Sequence, residues 1–390
     1  MSAPGIDPAP DVSDEALQAL RGDALYCNVA GSGPTFPVAQ DAAERFRRWL
    51  NAVGMFGHEG YDAYNAALAA AREDLAEFVG DPGGASRIAL LQSATEALNV
   101  AIAGLELDPG TTIVTTDEEH GSALLPILAR APQGIAAHVV PADDVREALR
   151  PGRLPRGARA LVVSLVSCKT GKRLPAEDAV ALARDAGLVT IVDAAQAAGQ
   201  VPVDVRGLGA DAVALLGHKW LHGPLATGAL WVRDPATFVP RRLGWRSSVG
   251  HDLAGRIDLQ PDATRFETGT VDAPAFVGLR QALAVHHALG TRVARRIRTL
   301  RDRLFDALVE LPFDLRSRRE DPTGIVSVTP RHGDAAGIVA RVWSDDRVVI
   351  KLLEEKGAPD GIRLSFWALH READIDRLAA SLARHARVPA

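Results

Sequence analysis

Seven short apolar runs recur between residues 88 and 232, with helix-length segments between most of them. The runs are Ile88–Leu91, Thr112–Thr115, Ala137–Val140, Ala160–Leu165, Val189–Val192, Ala212–Leu216 and Ala229–Val232. A strand with one wet face alternates apolar and polar residues, whereas a strand covered on both faces reads as a continuous apolar run. The segments Thr95–Gly104, Glu118–Ala129 and Ala176–Ala186 are long enough to cross back as helices between parallel strands. The pattern therefore predicts an α/β fold, a mainly parallel seven-stranded sheet with helices on both faces.

After residue 275 the pattern changes. Helical segments Ala275–Leu289 and Arg292–Leu311 precede extended segments at Gly324–Thr329 and Ile362–Phe366, and a last helix covers Glu372–Arg384. The 390 residues thus divide into an N-terminal arm (1–23), a large domain (24–274) and a smaller α+β C-terminal domain (275–390). A net charge of -5 gives no broad attraction to nucleic acid. The six arginines between Arg292 and Arg303 predict a solvated helix face rather than a binding stripe. Two cysteines, Cys27 and Cys168, imply no disulfide framework and fit a reducing cytoplasm. The first residues carry no basic, apolar leader, and no apolar stretch is long enough for a bilayer.

The chemistry gathers at strand ends, where open α/β sheets bind their ligands. The Val189–Val192 run delivers Asp193, and Gln196 follows three residues later. The Ala212–Leu216 run delivers His218-Lys219. A carboxylate and a lysine so placed are what pyridoxal 5′-phosphate (PLP) needs. The carboxylate keeps the pyridine nitrogen protonated, and the lysine forms the Schiff base. Lys169 and Lys172 are alternatives, but both precede the Asp193 strand. The Ile88–Leu91 run leads into Ser93-Ala94-Thr95, a hydroxyl-bearing helix start that suits a phosphate, although Thr95 serves equally as a plain helix cap. His218 and His222 have the spacing of a helical zinc pair, but lysine follows His218 where glutamate belongs, so no metal is expected.

In this order the motifs resemble the class V, fold-type-I PLP enzymes, a family of cysteine desulfurases, selenocysteine lyases, kynureninases and C–S lyases. Ser93–Asn99 is similar to the family's Ala-Thr-Glu-Ala-Ile-Asn signature, and Arg265–Thr270 to its Arg-Phe-Glu-x-Gly-Thr signature. The resemblance spans roughly residues 24–386 and implies several roles. Asp193 and Lys219 are its marker pair, and Gln196 meets the cofactor's phenolic oxygen. Ser93, Ala94, Thr95 and His218 bind the cofactor, and His120, from Glu118-Glu119-His120, stacks on its ring. Thr270 reaches the phosphate of a neighbouring subunit, which implies a homodimer with shared active sites. Arg363 clamps the substrate carboxylate, and Asn28, Ala30 and Gly31 line the substrate pocket.

The departures from the family carry the functional reading. Cys168 stands where an asparagine meets the phenolic oxygen, and Leu216 where a phosphate-binding serine is usual. No cysteine follows Cys168, whereas desulfurases need a mobile C-terminal thiolate to accept sulfur. The expectation is a PLP-dependent C–S lyase that acts by β-elimination on an S-substituted L-cysteine in specialised bacterial sulfur metabolism. The alternatives are decarboxylation-coupled oxidative deamination, transamination or epimerisation. A non-catalytic scaffold is disfavoured by intact Asp193, Gln196 and Lys219.

Overall fold

The computed structural model describes residues 3–5, 24–355 and 358–386, so nearly all of the expected N-terminal arm lies outside the described residues. A two-residue strand, Leu25–Tyr26 (β1), comes first. Seven strands then build the central sheet: Ile88–Leu91 (β2), Thr112–Thr116 (β3), Ala136–Val140 (β4), Ala158–Ser164 (β5), Val189–Asp193 (β6), Ala212–Leu216 (β7) and Gly228–Val232 (β8). Their spatial order is β2-β8-β7-β6-β5-β3-β4. Only β8 opposes its neighbours; the contacts from β7 to β4 are all parallel. β2 opposes β8 and so points the same way as the parallel set. The carboxyl ends of β2, β3, β5, β6 and β7 therefore open on one edge.

Successive residues of one strand enter opposite apolar layers, as the two-residue period of a strand requires. Val213 and Leu215 join the layer that holds Phe46, Leu68 and Phe276, while Ala212, Ala214 and Leu216 join the layer built on Leu98, Ile102 and Ile127. This is the doubly covered sheet that the non-alternating runs predict.

The helix after β3 begins later than expected, at Gly121 rather than Glu118. Glu118 and Glu119 do not enter it because their carboxylates turn inward. Glu119 takes hydrogen bonds from Thr116 and Ser164, and Glu118 takes one from Ser167. His120 becomes the N-cap and accepts from the Ser122 N–H at 3.1 Å.

A hairpin, Ser248–His251 (β9) and Ile257–Leu259 (β10), precedes the C-terminal part. There Phe313–Leu315 (β11), Ile325–Pro330 (β12), Val348–Val349 (β13), Lys351–Glu355 (β14) and Ala358–Ser365 (β15) follow. Four of them form an antiparallel sheet of order β11-β12-β15-β14. Packing cuts the chain differently from the sequence boundaries. β1 pairs with β13, and Leu25 and Cys27 sit in the C-terminal core with Leu304 and Phe366. Conversely, the helix Ala273–Leu289 buries Phe276, Leu279 and Leu283 in the core of the large unit. Apolar faces join the nearest core, whatever their place in the chain.

The helix Arg292–Val309 buries its apolar face, and of its six arginines Arg301 alone is buried with it. Arg301 is buried, and its guanidinium donates to the carbonyls of Thr323 (2.7 Å) and Ile325 (2.6 Å). It pins the helix to the C-terminal sheet, because burial forces its donors onto backbone acceptors.

Candidate active site

Beyond the carboxyl ends of the strands lies a cavity of about 360 Å³, large enough for a small molecule. Its wall brings together Ala30, Gly31, Ser93, Ala94, Thr95, His120, Cys168, Asp193, Gln196, His218, Lys219 and Arg363. Two sequence candidates lie outside it. Asn28 stands behind Arg363, accepting from Nη2 at 3.2 Å, and Thr270 is exposed. The chain leading to Thr270 is held by Glu267, which is buried. It accepts from Arg72 (2.5 Å), Arg246 (3.1 Å) and the Leu90 N–H (2.9 Å).

Asp193 ends β6, the middle strand, opposite Ser164 of β5 and Ala214 of β7. Its Oδ1 accepts from the Ala195 N–H at 2.8 Å. Burial pushes its carboxyl pKa up, and that N–H, Lys219 and His120 pull it back. Burial pushes the Lys219 ammonium down, which favours the neutral amine. Lys169 and Lys172 point elsewhere: Lys169 Nζ donates to the Asp117 carbonyl (2.7 Å), and Lys172 pairs with Asp143 (2.5 Å). Residues 217–221 form bends and a turn and no helix follows them directly, so His218 and His222 share no helix face. His222 Nδ1 instead meets the Pro34 carbonyl at 2.8 Å.

Gln196 is held at both ends of its amide. Its Nε2 donates to the Ala30 carbonyl (3.0 Å), and its Oε1 accepts from Trp220 Nε1 (2.7 Å). One amide hydrogen remains for a ligand. The N-terminal loop packs tightly on the lysine segment. Gly33 donates to the His218 carbonyl at 2.8 Å, and a Cβ at Gly33 would fall 2.1 Å from the Lys219 carbonyl oxygen.

The helix Ala94–Gly104 aims its N-terminus at the cavity. Ser93 Oγ caps the Glu96 N–H (3.1 Å), leaving the Ala94 and Thr95 N–H groups of the first turn without intrahelical acceptors. A Cβ at Gly228 would lie 2.6 Å from the Ser93 backbone, so only glycine lets β8 pass this close. Thr95 Oγ1 meets Ser122 Oγ at 2.7 Å, and Ser122 Oγ meets His120 Nδ1 at 2.8 Å. Because the Ser122 N–H donates to Nδ1, the ring proton of neutral His120 sits on Nε2. Burial and Lys219 hold the His120 pKa below its usual value.

On the opposite wall, Arg363 of β15 donates from Nη1 to the Cys168 carbonyl at 2.8 Å. Its Nε is buried without a partner among the described residues, as is His218 Nδ1. Such orphaned donors are costly unless a ligand meets them. A helix N-terminus, hydroxyls and an imidazole suit a phosphate dianion. A buried carboxylate suits a pyridinium, and a desolvated lysine suits an aldehyde. The residues present fit PLP.

Sequence reasoning missed Ser122, Ser164 and Lys351 in the cavity wall, and Glu119 behind it. Glu119 is 3% exposed, and burial raises its carboxyl pKa to about 7. Glu119 stands in the Glu118-Glu119-His120 segment with no role of its own assigned there, and Ser164 and Lys351 lie in no motif; tertiary contact reveals what they do.

The family model for class-V aminotransferases matches residues 25–378. The chain is 30% identical over 280 residues to a probable cysteine desulfurase of Methanothermobacter thermautotrophicus, covering 70% of this chain and 69% of that protein. It is 28% identical over 362 residues to a cysteine desulfurase of Pectobacterium atrosepticum, covering 88% of each. Among solved structures, a lysine mutant of C-DES with glycine covalently linked to its PLP cofactor superposes with a TM-score of 0.86 and 25% identity. That superposition covers 96% of this chain and 99% of the other. The cystine C–S lyase C-DES in complex with its product, cysteine persulfide, matches with a TM-score of 0.82 and 26% identity, over 92% and 97%. A seven-stranded sheet with a ligand crevice at its carboxyl edge places the chain among fold-type-I PLP enzymes. Within that class it belongs to the class-V aminotransferase family, and its cofactor is PLP.

Proposed function

We propose that the protein is a C–S lyase that releases a thiol from an S-substituted L-cysteine by β-elimination. The observation that carries this reading is the state of its two cysteines. Cys27 is fully buried in the C-terminal core, with its thiol pKa pushed far up by burial. Cys168 is buried in the cavity wall, and burial raises its pKa as well. Neither presents a mobile thiolate, and no cysteine follows them. The chain lacks the group that a persulfide-forming desulfurase uses, although its curated relatives carry that name.

PLP supplies the electron sink for the pair left on the substrate's Cα. The chain supplies the rest. Arg363 grips the α-carboxylate, its plane fixed by Cys168 and Asn28. Lys219, its pKa lowered, takes the α-proton on Nζ. The Cβ–S bond breaks with its electron pair leaving on sulfur, and the proton held on Lys219 Nζ passes to the thiolate or to water; His120 Nε2–H donates a hydrogen bond to the departing sulfur. The remaining fragment hydrolyses to pyruvate and ammonia. Thr270 completes the phosphate site of a second subunit in a homodimer.

The test is to incubate the holoenzyme with S-substituted cysteines and assay thiol, pyruvate, ammonia, carbon dioxide and aldehyde. Thiol and pyruvate in equal amounts support the lyase. Carbon dioxide with an aldehyde replaces it by the decarboxylating reaction, and a keto acid that retains its sulfur replaces it by transamination.

A further inference from the structure

The cavity holds one more cation than a simple S-alkylcysteine can use. Lys351 of β14 lines the wall directly across the strand pair from Arg363. Residues so paired in an antiparallel ladder project on the same face, with their Cβ atoms about 5 Å apart. Among the described residues, Asp193 is the only carboxylate in the wall, set at the far side on β6. Among the described residues no carboxylate pairs with Lys351.

The charges can be matched in turn. Asp193 answers the pyridinium. The helix start at Ser93–Thr95 and His218 answer the phosphate, and Arg363 answers the α-carboxylate. Lys351 is left over, exposed at the mouth and beside Arg363.

We infer that Lys351 selects substrates whose S-substituent carries an acidic group. An anion on Lys351 must lie close to the α-carboxylate on Arg363, which restricts the substituent to a short carboxyalkyl chain. The inference rests on the proposed lyase reading for its substrate backbone, an S-substituted cysteine. S-carboxymethyl-L-cysteine has the required reach. S-carbamoylmethyl-L-cysteine is its neutral isostere, so the pair isolates the charge.

The experiment measures equilibrium binding of both compounds to the PLP-loaded enzyme, through the early absorbance change of the cofactor in stopped flow. Wild type should bind the acid at least about fivefold tighter than the amide, the scale of one well-placed charged hydrogen bond at a rim. The preference should collapse towards unity in Lys351→Gln and persist in Lys351→Arg. Equal affinities in wild type would overturn the inference. So would a Lys351→Gln variant that weakens both compounds by the same factor, because Lys351 would then serve the α-carboxylate alongside Arg363. Release of thioglycolate is assayed separately. Its absence beside an intact binding preference counts against the lyase reading and leaves the charge selection standing.

Discussion

Ser164 and Asp193 face each other across β5 and β6, and Ser164 is fastened to Glu119 through its N–H (3.0 Å) and its hydroxyl (2.5 Å). Two carboxyl groups thus sit behind and beside the same strand end. A like charge raises the pKa of a buried carboxyl. Asp193 adds to the rise at Glu119, where burial is the larger cause.

Glu119 should leave a signature in stability against pH. Its pKa rises from 4.5 to about 7 on folding, so the folded state holds the proton more tightly. The resulting stabilisation is complete below pH 4.5 and is lost as pH rises through 7. Wild type should lose up to about 3 kcal/mol over this window relative to Glu119→Gln. His222 and His286, pushed down by burial to about 3 and about 4, give the opposite slope below pH 6.5, but equally in both proteins. Urea unfolding of both proteins at several pH values checks the difference. Parallel curves would show that Glu119 does not titrate there.

Replacing Lys219 by alanine should reduce turnover by a factor on the order of a thousand or more, since the other lysine of the wall, Lys351, stands on β14 beside Arg363 rather than at the Asp193 edge of the central sheet. Borohydride reduction and peptide mapping of wild type should find the cofactor on Lys219. Reduced cofactor on Lys169 or Lys172 would refute the assignment.

Asp193→Asn removes the charge that holds the pyridine nitrogen protonated. The fold should survive, because the Ala195 N–H still finds an amide oxygen. Turnover should fall on the order of a hundredfold, the scale of losing one preorganised electrostatic contact. An unchanged rate would make Asp193 purely structural.

Cys27→Ala combined with Cys168→Ser should keep substantial turnover. Alanine suits position 27 because a serine hydroxyl buried in that apolar core would lack a partner. A dead double mutant, together with a persulfide on either cysteine of the wild type after turnover, would return the protein to the desulfurases.

Thr270→Ala should weaken cofactor retention, and mixing it with Lys219→Ala should restore activity. In a mixed dimer one site combines an intact Lys219 with an intact Thr270 from the other subunit. No recovery on mixing, with subunit exchange verified by mass, would mean that sites are not shared.

Strand runs and strand-end residues were legible because their signals are local. Continuous apolar stretches mark β2 to β8, and Asp193 and Lys219 follow two of them within a few residues. Glu119, Ser164 and Ser122 were not, because their meaning lies in contacts across 27 or 45 residues of chain. Pairings between distant elements were not legible for the same reason. Nothing near Leu25 announces a partner at Val348, and the helix Ala273–Leu289 shows only that it is apolar, not which core it enters. Arg301 looks in sequence like its solvated neighbours, until carbonyls of a distant strand surround it.

The pairing of the first strand with the last part of the chain sets an order on assembly. Ala30, in the cavity wall, donates its N–H to Ser365 Oγ, 335 residues away. During synthesis on the ribosome, the central sheet and its Asp193–Lys219 edge emerge long before that acceptor exists. The growing chain therefore carries a nearly finished cofactor crevice without the wall that positions substrate. That wall closes only when β15 arrives, so the step that seats Arg363 also locks the Asn28 segment beside Ser365 and buries Cys27.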